Sequence, residues 1–283
     1  MIVSIGEVVW DIFADRQVLG GAPVNVAYHL CSMGMDVGVI TGVGSDRLGE
    51  AALDKLTELG LPLAGVQQND LPTGRVKITV GPNHEPDFEI VAPAAWDDIR
   101  LAPALEYLDN RPFDLVFGTL AQRDERSRQT IRALWAKAGR CFYDVNLRPL
   151  FTTKELVVDS LGAADLVKLN GDELLIVGRW LNLDVQDKKK VAKELIVRYN
   201  ISVVVVTEGV AGAWLMAGDE YFHDRGEPVT VADTVGAGDS FFAALLYGYI
   251  NHFPWPDNLT RANRRGGYVA SQPGATPSMP ENI

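Results

Sequence analysis

Several signatures that would declare a function are missing from this 283-residue chain. It contains no Gly-Lys dipeptide, which removes the P-loop nucleotide motif. No His-Arg-Asp or Asp-Phe-Gly string marks a protein kinase. Only two cysteines occur, Cys31 and Cys141, and neither belongs to a CxxC pair. Both read as buried, reduced thiols. No apolar run approaches the roughly 20 residues that span a bilayer. The start, Met1-Ile-Val-Ser-Ile-Gly-Glu, lacks the basic stretch and apolar core of a signal peptide, so the cytoplasm is the expected location. Repeats and low-complexity tracts are absent. Positive charge is also short, with a net charge of −11. An acidic chain repels phosphate backbones, so no nucleic-acid partner is expected. The same acidity makes any phosphate-binding device more informative.

What is present is a core. Apolar residues make up 47% and charged residues 22%, which suits a soluble α/β domain of residues 1–283. Apolar runs at Ile2–Ile5, Val37–Ile40, Leu115–Gly118, Cys141–Asp144, Leu166–Leu169 and Val203–Val206 read as buried strands. Helical patterns at Asn25–Met33, Glu50–Leu59, Glu125–Ala138 and Lys188–Tyr199 lie between them. Strands apolar on both faces, alternating with helices, predict a mostly parallel sheet covered on both sides. Ligands bind beyond the carboxyl ends of such strands. Two segments break the rhythm. Ile12–Leu19 is strand-like, and Val76–Val80 and Asp87–Val91 flank a Gly81-Pro82-Asn83 turn. Together, over about residues 12–20 and 72–95, they predict a small projecting sheet. Its apolar face needs a cover, so it is a candidate lid and dimer surface.

The strongest chemical signal is Asp233-Thr-Val-Gly-Ala-Gly-Asp239, followed by the helical pattern Ser240–Tyr247. Glycines at 236 and 238 let a ligand approach the backbone. The first-turn N–H groups of the helix then face that ligand, and the dipole favours negative charge there. Gly236, Ala237, Gly238 and Asp239 therefore predict an anion hole of main-chain amides. Asp239, in the same turn, is placed to accept a hydroxyl proton during phosphoryl transfer. The plainer alternative is a first-turn acid stabilised by the dipole.

Asp233–Asp239 resembles the C-terminal signature of the PfkB, or ribokinase-like, carbohydrate kinases. Gly20-Gly-Ala-Pro-Val-Asn-Val-Ala27 resembles their N-terminal signature. The resemblance spans essentially the whole chain and implies a three-layer ribokinase-like sandwich that uses ATP and magnesium. It implies that Asp11, Gly21 and Asn25 hold the sugar, although Asp11 also reads as a turn acid and Asn25 as a helix cap. Asn170-Gly-Asp-Glu173 matches the family's NxxE motif, whose ends, Asn170 and Glu173, act on hydrated magnesium and phosphate. Asn170 also reads as the cap of a helix starting at Gly171. Thr207–Gly212, through Thr207, Gly209 and Gly212, matches the nucleotide loop, with Asn263 on the adenine side. Arg148 is a candidate phosphate contact or else a surface ion pair. The resemblance further implies a potassium-type cation held by Asp233, Val235, Val269, Gly274 and Ser278.

Gly42-Val-Gly-Ser-Asp-Arg-Leu-Gly49 superficially resembles a dinucleotide loop, but its third glycine comes two positions late. The same stretch resembles a family segment near the sugar pocket. Gly6-Glu7, the GGAPxNVA form and Asp144-x-Asn-Leu-Arg148 look like fructokinases, so fructose to fructose 6-phosphate is the expected reaction. Ketodeoxygluconate, ribose or a nucleoside are alternative substrates. A sugar or nucleotide sensor on a kinase fold is the non-enzymatic alternative.

Overall fold

A computed structural model describes residues 1–13, 15–80 and 86–280, which form two sheets and the helices packed on them. In chain order the first elements are β1 (Ile2–Ile5), β2 (Val9–Ile12), β3 (Gln17–Gly20), α1 (Ala22–Ser32), β4 (Val37–Gly44), α2 (Arg47–Glu58), β5 (Val66–Asn69), β6 (Gly74–Val80) and β7 (Pro86–Ile90). Then come α3 (Leu101–Leu108), β8 (Asp114–Gly118), α4 (Glu125–Trp135), β9 (Cys141–Asp144), α5 (Lys154–Ala163), β10 (Leu166–Asn170), α6 (Gly171–Trp180) and α7 (Lys188–Tyr199). The chain closes with β11 (Val203–Thr207), β12 (Ala213–Ala217), β13 (Glu220–Asp224), α8 (Ala237–Ile250) and α9 (Trp255–Ala270).

The large sheet runs β13-β12-β11-β10-β9-β8-β1-β4-β5. Its seven strands from β11 to β5 pair in parallel, and β12 and β13 add an antiparallel edge. Side chains alternate between two cores. Val204 and Val206 face the α3–α7 side, while Val203 and Val205 face α1, α2, α8 and α9. Burial on both faces explains why these strands read as continuous apolar runs. The order reverses beside β1, which leaves a crevice at the strands' carboxyl ends.

The second sheet runs β3-β2-β6-β7, with β2 and β6 parallel and the other pairs antiparallel. Here the sequence reading is corrected. Ile12–Leu19 is not one strand but the turn and flanks of the β2–β3 hairpin, and β3 leads straight into α1. The Gly81-Pro82-Asn83 turn lies outside the described residues. A second correction concerns Gly42–Gly49. The strand predicted to end at Ile40 continues through Gly44, and α2 starts at Arg47. A Cβ on Gly42 would collide with the Ala95 carbonyl, and one on Gly49 with that of Gly44. These glycines serve close backbone packing.

Candidate active site

Between the strand ends and the second sheet lies a cavity of ≈ 610 Å³. Val9, Val76 and Ile90 line it from the second sheet. Asp11, Gly21, Asn25, Arg148, Gly236, Gly238 and Asp239, predicted from separate parts of the sequence, also line it. Val235 does so as well, whereas none of residues 42–49 is among the described lining.

Asp239 sits in the first turn of α8 and is only 8% exposed. Burial raises its carboxyl above the ordinary range, opposed by the Lys168 charge, the Asn25 amide and Arg148. A desolvated carboxylate is a better proton acceptor than an exposed one. The turn is shaped by Gly236, whose φ of 75° is left-handed. A Cβ there would lie 2.5 Å from that of Ala275. Ala275 is itself fixed from α1, where His29 Nε2 lies 2.9 Å from its carbonyl oxygen and the Tyr28 hydroxyl donates to the Pro277 carbonyl at 2.7 Å. Burial and the nearby Arg265 lower His29 to about 3, so the ring is neutral and donates from Nε2. In the turn expected to form the anion hole, Ala237 N–H makes a long bond to the Thr234 carbonyl (3.3 Å). Gly238 and Asp239, as first-turn residues, have N–H groups with no carbonyl partner inside the helix.

For the residues expected on the sugar side, the structure bears on the plainer alternatives. Asn25 does not cap α1, because Gly21 holds that position. Its Nδ2 instead donates to Asp239 Oδ2 at 2.7 Å, and its buried Oδ1 has no partner among the described residues. Asp11 is no turn or cap acid. It lies within β2 opposite Val18, and burial, reinforced by Asp233, raises it to about 6 against the pull of Arg148. Gly21 has φ 117°, and a Cβ there would strike the Glu7 carbonyl. Arg148 forms no ion pair among the described residues. Its Nη1 donates to Asn146 Oδ1 (2.7 Å) and the Leu147 carbonyl (3.1 Å), leaving the charge at the cavity wall.

Other predicted residues lie outside the cavity. Asn170 and Thr207 are register partners at the ends of β10 and β11. Asn170 caps α6, accepting from Asp172 N and Glu173 N, while the Glu173 carboxylate accepts from Asn170 N (2.7 Å) and Leu147 N (2.8 Å). Each Glu173 oxygen thus already serves one amide. That donor set fits a hydrated divalent ion held through water, since direct chelation would compete with both amides. Gly209, with φ 55°, opens a single 3₁₀ turn over 209–211. Gly212 packs against the Asp224 carbonyl, and Asn263 Nδ2 donates to Asp224 O (3.0 Å) and Oδ1 (2.8 Å). A second hollow of ≈ 260 Å³ opens beside them, lined by Arg225, Gly226, Thr260 and Arg264. Near α8, Asp233 accepts from Val235 N and Gly274 N, the Val269 carbonyl accepts from Gln272 N, and the Ser278 carbonyl accepts from Tyr268. Among the described residues no cluster of three His, Cys, Asp or Glu could hold a metal ion.

The description "pfkB family carbohydrate kinase" matches residues 4–282. The chain belongs to this family. It is a carbohydrate kinase of ribokinase-like architecture. A fructokinase of Klebsiella pneumoniae is 28% identical over 303 residues, covering 98% of this chain and 95% of the relative. The crystal structure of fructokinase with bound ATP from Xylella fastidiosa superposes with a TM-score of 0.88 at 21% identity, covering 97% of this chain and 93% of that one. Fructokinase from Vibrio cholerae O395, in a fructose, ADP and calcium ion bound form, gives 0.83 at 24% identity, with coverages of 97% and 94%.

Sequence reasoning missed three residues of this pfkB site. Glu7, 5% exposed, follows β1 and lines the cavity, and its buried Oε2 has no partner among the described residues. Lys168, 7% exposed, lies in β10 and lines the cavity. Asp144, at the end of β9, binds it through both carboxylate oxygens at 3.0 Å. A lysine inside the apolar run Leu166–Leu169 was the signal available in the sequence.

Proposed function

We propose that this pfkB kinase transfers the γ-phosphoryl group of ATP to a hydroxyl of fructose, giving fructose 6-phosphate, with Asp239 as the general base. One observation carries this reading: the buried Asp239 carboxylate opens from the first turn of α8 into the cavity that Asp11 and Asn25 share. Two buried acceptors without partners among the described residues, Asn25 Oδ1 and Glu7 Oε2, belong to residues of the same wall. Orphaned acceptors call for donors, and a polyol supplies them. Asp11 and Gly21 complete the sugar side.

The nucleotide lies along Thr207, Gly209 and Gly212 toward Asn263, with Arg148 near its phosphates. Hydrated magnesium would be held through Asn170 and Glu173, and it would neutralise phosphate charge. The backbone around Asp233, Val235, Val269, Gly274 and Ser278 offers carbonyls for a monovalent cation. The sugar oxygen attacks the γ-phosphorus, its proton passes to Asp239, and the bond to the ADP oxygen breaks with its electrons on that oxygen. Main-chain N–H groups at Gly236–Asp239 stabilise the charge in transit. The second sheet acts as a lid and joins two copies in a dimer in the cytoplasm. No helix among the described residues is long and apolar enough to cross a membrane.

An ADP-release assay with fructose, ribose, ketodeoxygluconate and adenosine tests the substrate. Fructose should give the highest kcat/KM. A higher value for another acceptor transfers the assignment to it, and binding without turnover of any would favour a sensor.

A further inference from the structure

Lys168 is unusual for a central strand of a nine-stranded sheet. Its ammonium is buried and takes two hydrogen bonds of 3.0 Å to the two oxygens of Asp144. An ammonium has three donors. The third has no acceptor among the described residues. Nζ lies 3.1 Å from where a Cβ on Gly238 would stand, so it sits against the first turn of α8. Lys168, Gly238 and Asp239 all line the same cavity.

A buried ion pair serving the fold alone is a poor use of a core position. Its desolvation cancels most of the attraction, and apolar residues of like volume do as well. The surroundings supply a reason. Asp144, Glu173 and Asp239 all act on Lys168, so this end of the sheet is rich in negative charge. A phosphoryl group arriving beside Asp239 adds more. First-turn amides contribute only partial charges, and Arg148 is an exposed side chain. Lys168 is the buried full positive charge at this position.

We propose that Lys168 is a catalytic residue: its ammonium, clamped by Asp144, contacts the oxygens of the phosphoryl group as that group passes from ATP to the acceptor beside Gly238. The proposal rests on the reading of Asp239 as base. Lys168 exchanges no proton. It balances the charge spread over the transferring oxygens while the acceptor proton goes to Asp239 and the bond to the ADP oxygen breaks. Asp144 is a positioning residue. It holds Nζ by two contacts and leaves the third donor toward the cavity. Gly238 follows from the same geometry, because a side chain there would press on Nζ.

The test compares Lys168→Met, Lys168→Arg, Asp144→Asn and Asp239→Asn by steady-state kinetics, sugar affinity by calorimetry, and thermal melting. Lys168→Met should lower kcat by about 10²- to 10³-fold, as loss of a transition-state donor does, while sugar affinity changes less than about threefold. It should also move the acid limb of kcat/KM to higher pH. Asp239 faces Lys168, Arg148, Asn25, Glu7 and Asp144, and removing the lysine strips its nearest positive partner. A purely structural lysine would leave that limb in place. Lys168→Arg should recover part of kcat. If Lys168→Met fails to melt cooperatively, Asp144→Asn decides, with kcat expected to fall about tenfold. Near-normal kcat in Lys168→Met, or in Asp144→Asn where that variant decides, overturns the proposal if Asp239→Asn is inactive. Full activity in Asp239→Asn would instead overturn the reading of the base.

Discussion

Asp239 and Glu7 are buried acids of one cavity with different tasks. The Asp239 carboxylate is held in place by Asn25 and turned toward the cavity. Asp239→Asn keeps the shape and the contact region but removes the carboxylate proposed as the proton acceptor. Its kcat should fall by about 10²- to 10⁴-fold with the KM for ATP nearly unchanged. Initial-rate kinetics at saturating sugar check this, and an unaltered kcat would remove Asp239 from the role. Glu7 reports instead on folding. Burial raises its carboxyl to about 7, opposed by backbone hydrogen bonding and Arg148 and aided by Asp239. In the unfolded chain it returns to 4.5. The bound proton therefore favours the folded state. That contribution is complete below the unfolded value and is lost as pH rises through the folded one. It amounts to about 3 kcal/mol. Glu7→Gln stays neutral throughout, so its melting temperature should decline less than wild type between about pH 5 and pH 8. Parallel slopes in thermal melts would contradict this assignment.

At the scale of elements, the site is a meeting of helix starts with strand ends. α1 brings Asn25, α8 brings its amides and Asp239, and β10 ends in the cap of α6. Asn170 thus has a measurable structural duty beside its proposed one. Asn170→Ala should lower stability by about 1 kcal/mol through the lost cap. It should also raise the KM for magnesium–ATP several-fold. Urea unfolding and ATP titration separate the two effects, and a stability loss with an unchanged KM would reduce Asn170 to a cap. Pattern reading found Lys188–Tyr199 at its observed bounds because the helix has a clear apolar face and the sharp cap Asp187. It missed the β12–β13 hairpin, α9 and the true β2–β3 hairpin. The Trp255–Ala270 helix carries three arginines and two adjacent internal glycines in its middle, and Val9–Ile12 is too short to show a period. Propensity alone does not resolve such segments, since tertiary packing decides them.

At the scale of the molecule, the second sheet has one face at the cavity through Val9, Val76 and Ile90. Removing residues 76–91 should raise the sugar KM and shift the monomer–dimer balance toward monomer, as sedimentation velocity would show. An unchanged balance would count against the dimer through this sheet. The layering of the large sheet was legible because strands buried on both faces must be apolar throughout. The convergence of Gly21, Asn25 and Asp239 was legible only through two signatures about 210 residues apart in the chain, and that of Asp11 only through the wider family resemblance.

The sequence by itself determined the glycine-shaped start of α8, the acid in its first turn and the alternation that forces a parallel sheet, because these depend on local backbone freedom and periodic burial. Only the tertiary structure decided that Asn25 grips Asp239 rather than capping its own helix, that Asp11 lies in a strand of the second sheet, and that Glu7 and Lys168 line the cavity with Asp144 clamping the lysine. Such pairings join residues far apart in the chain, and burial, which sets their charge and their partners, exists only after the layers have closed.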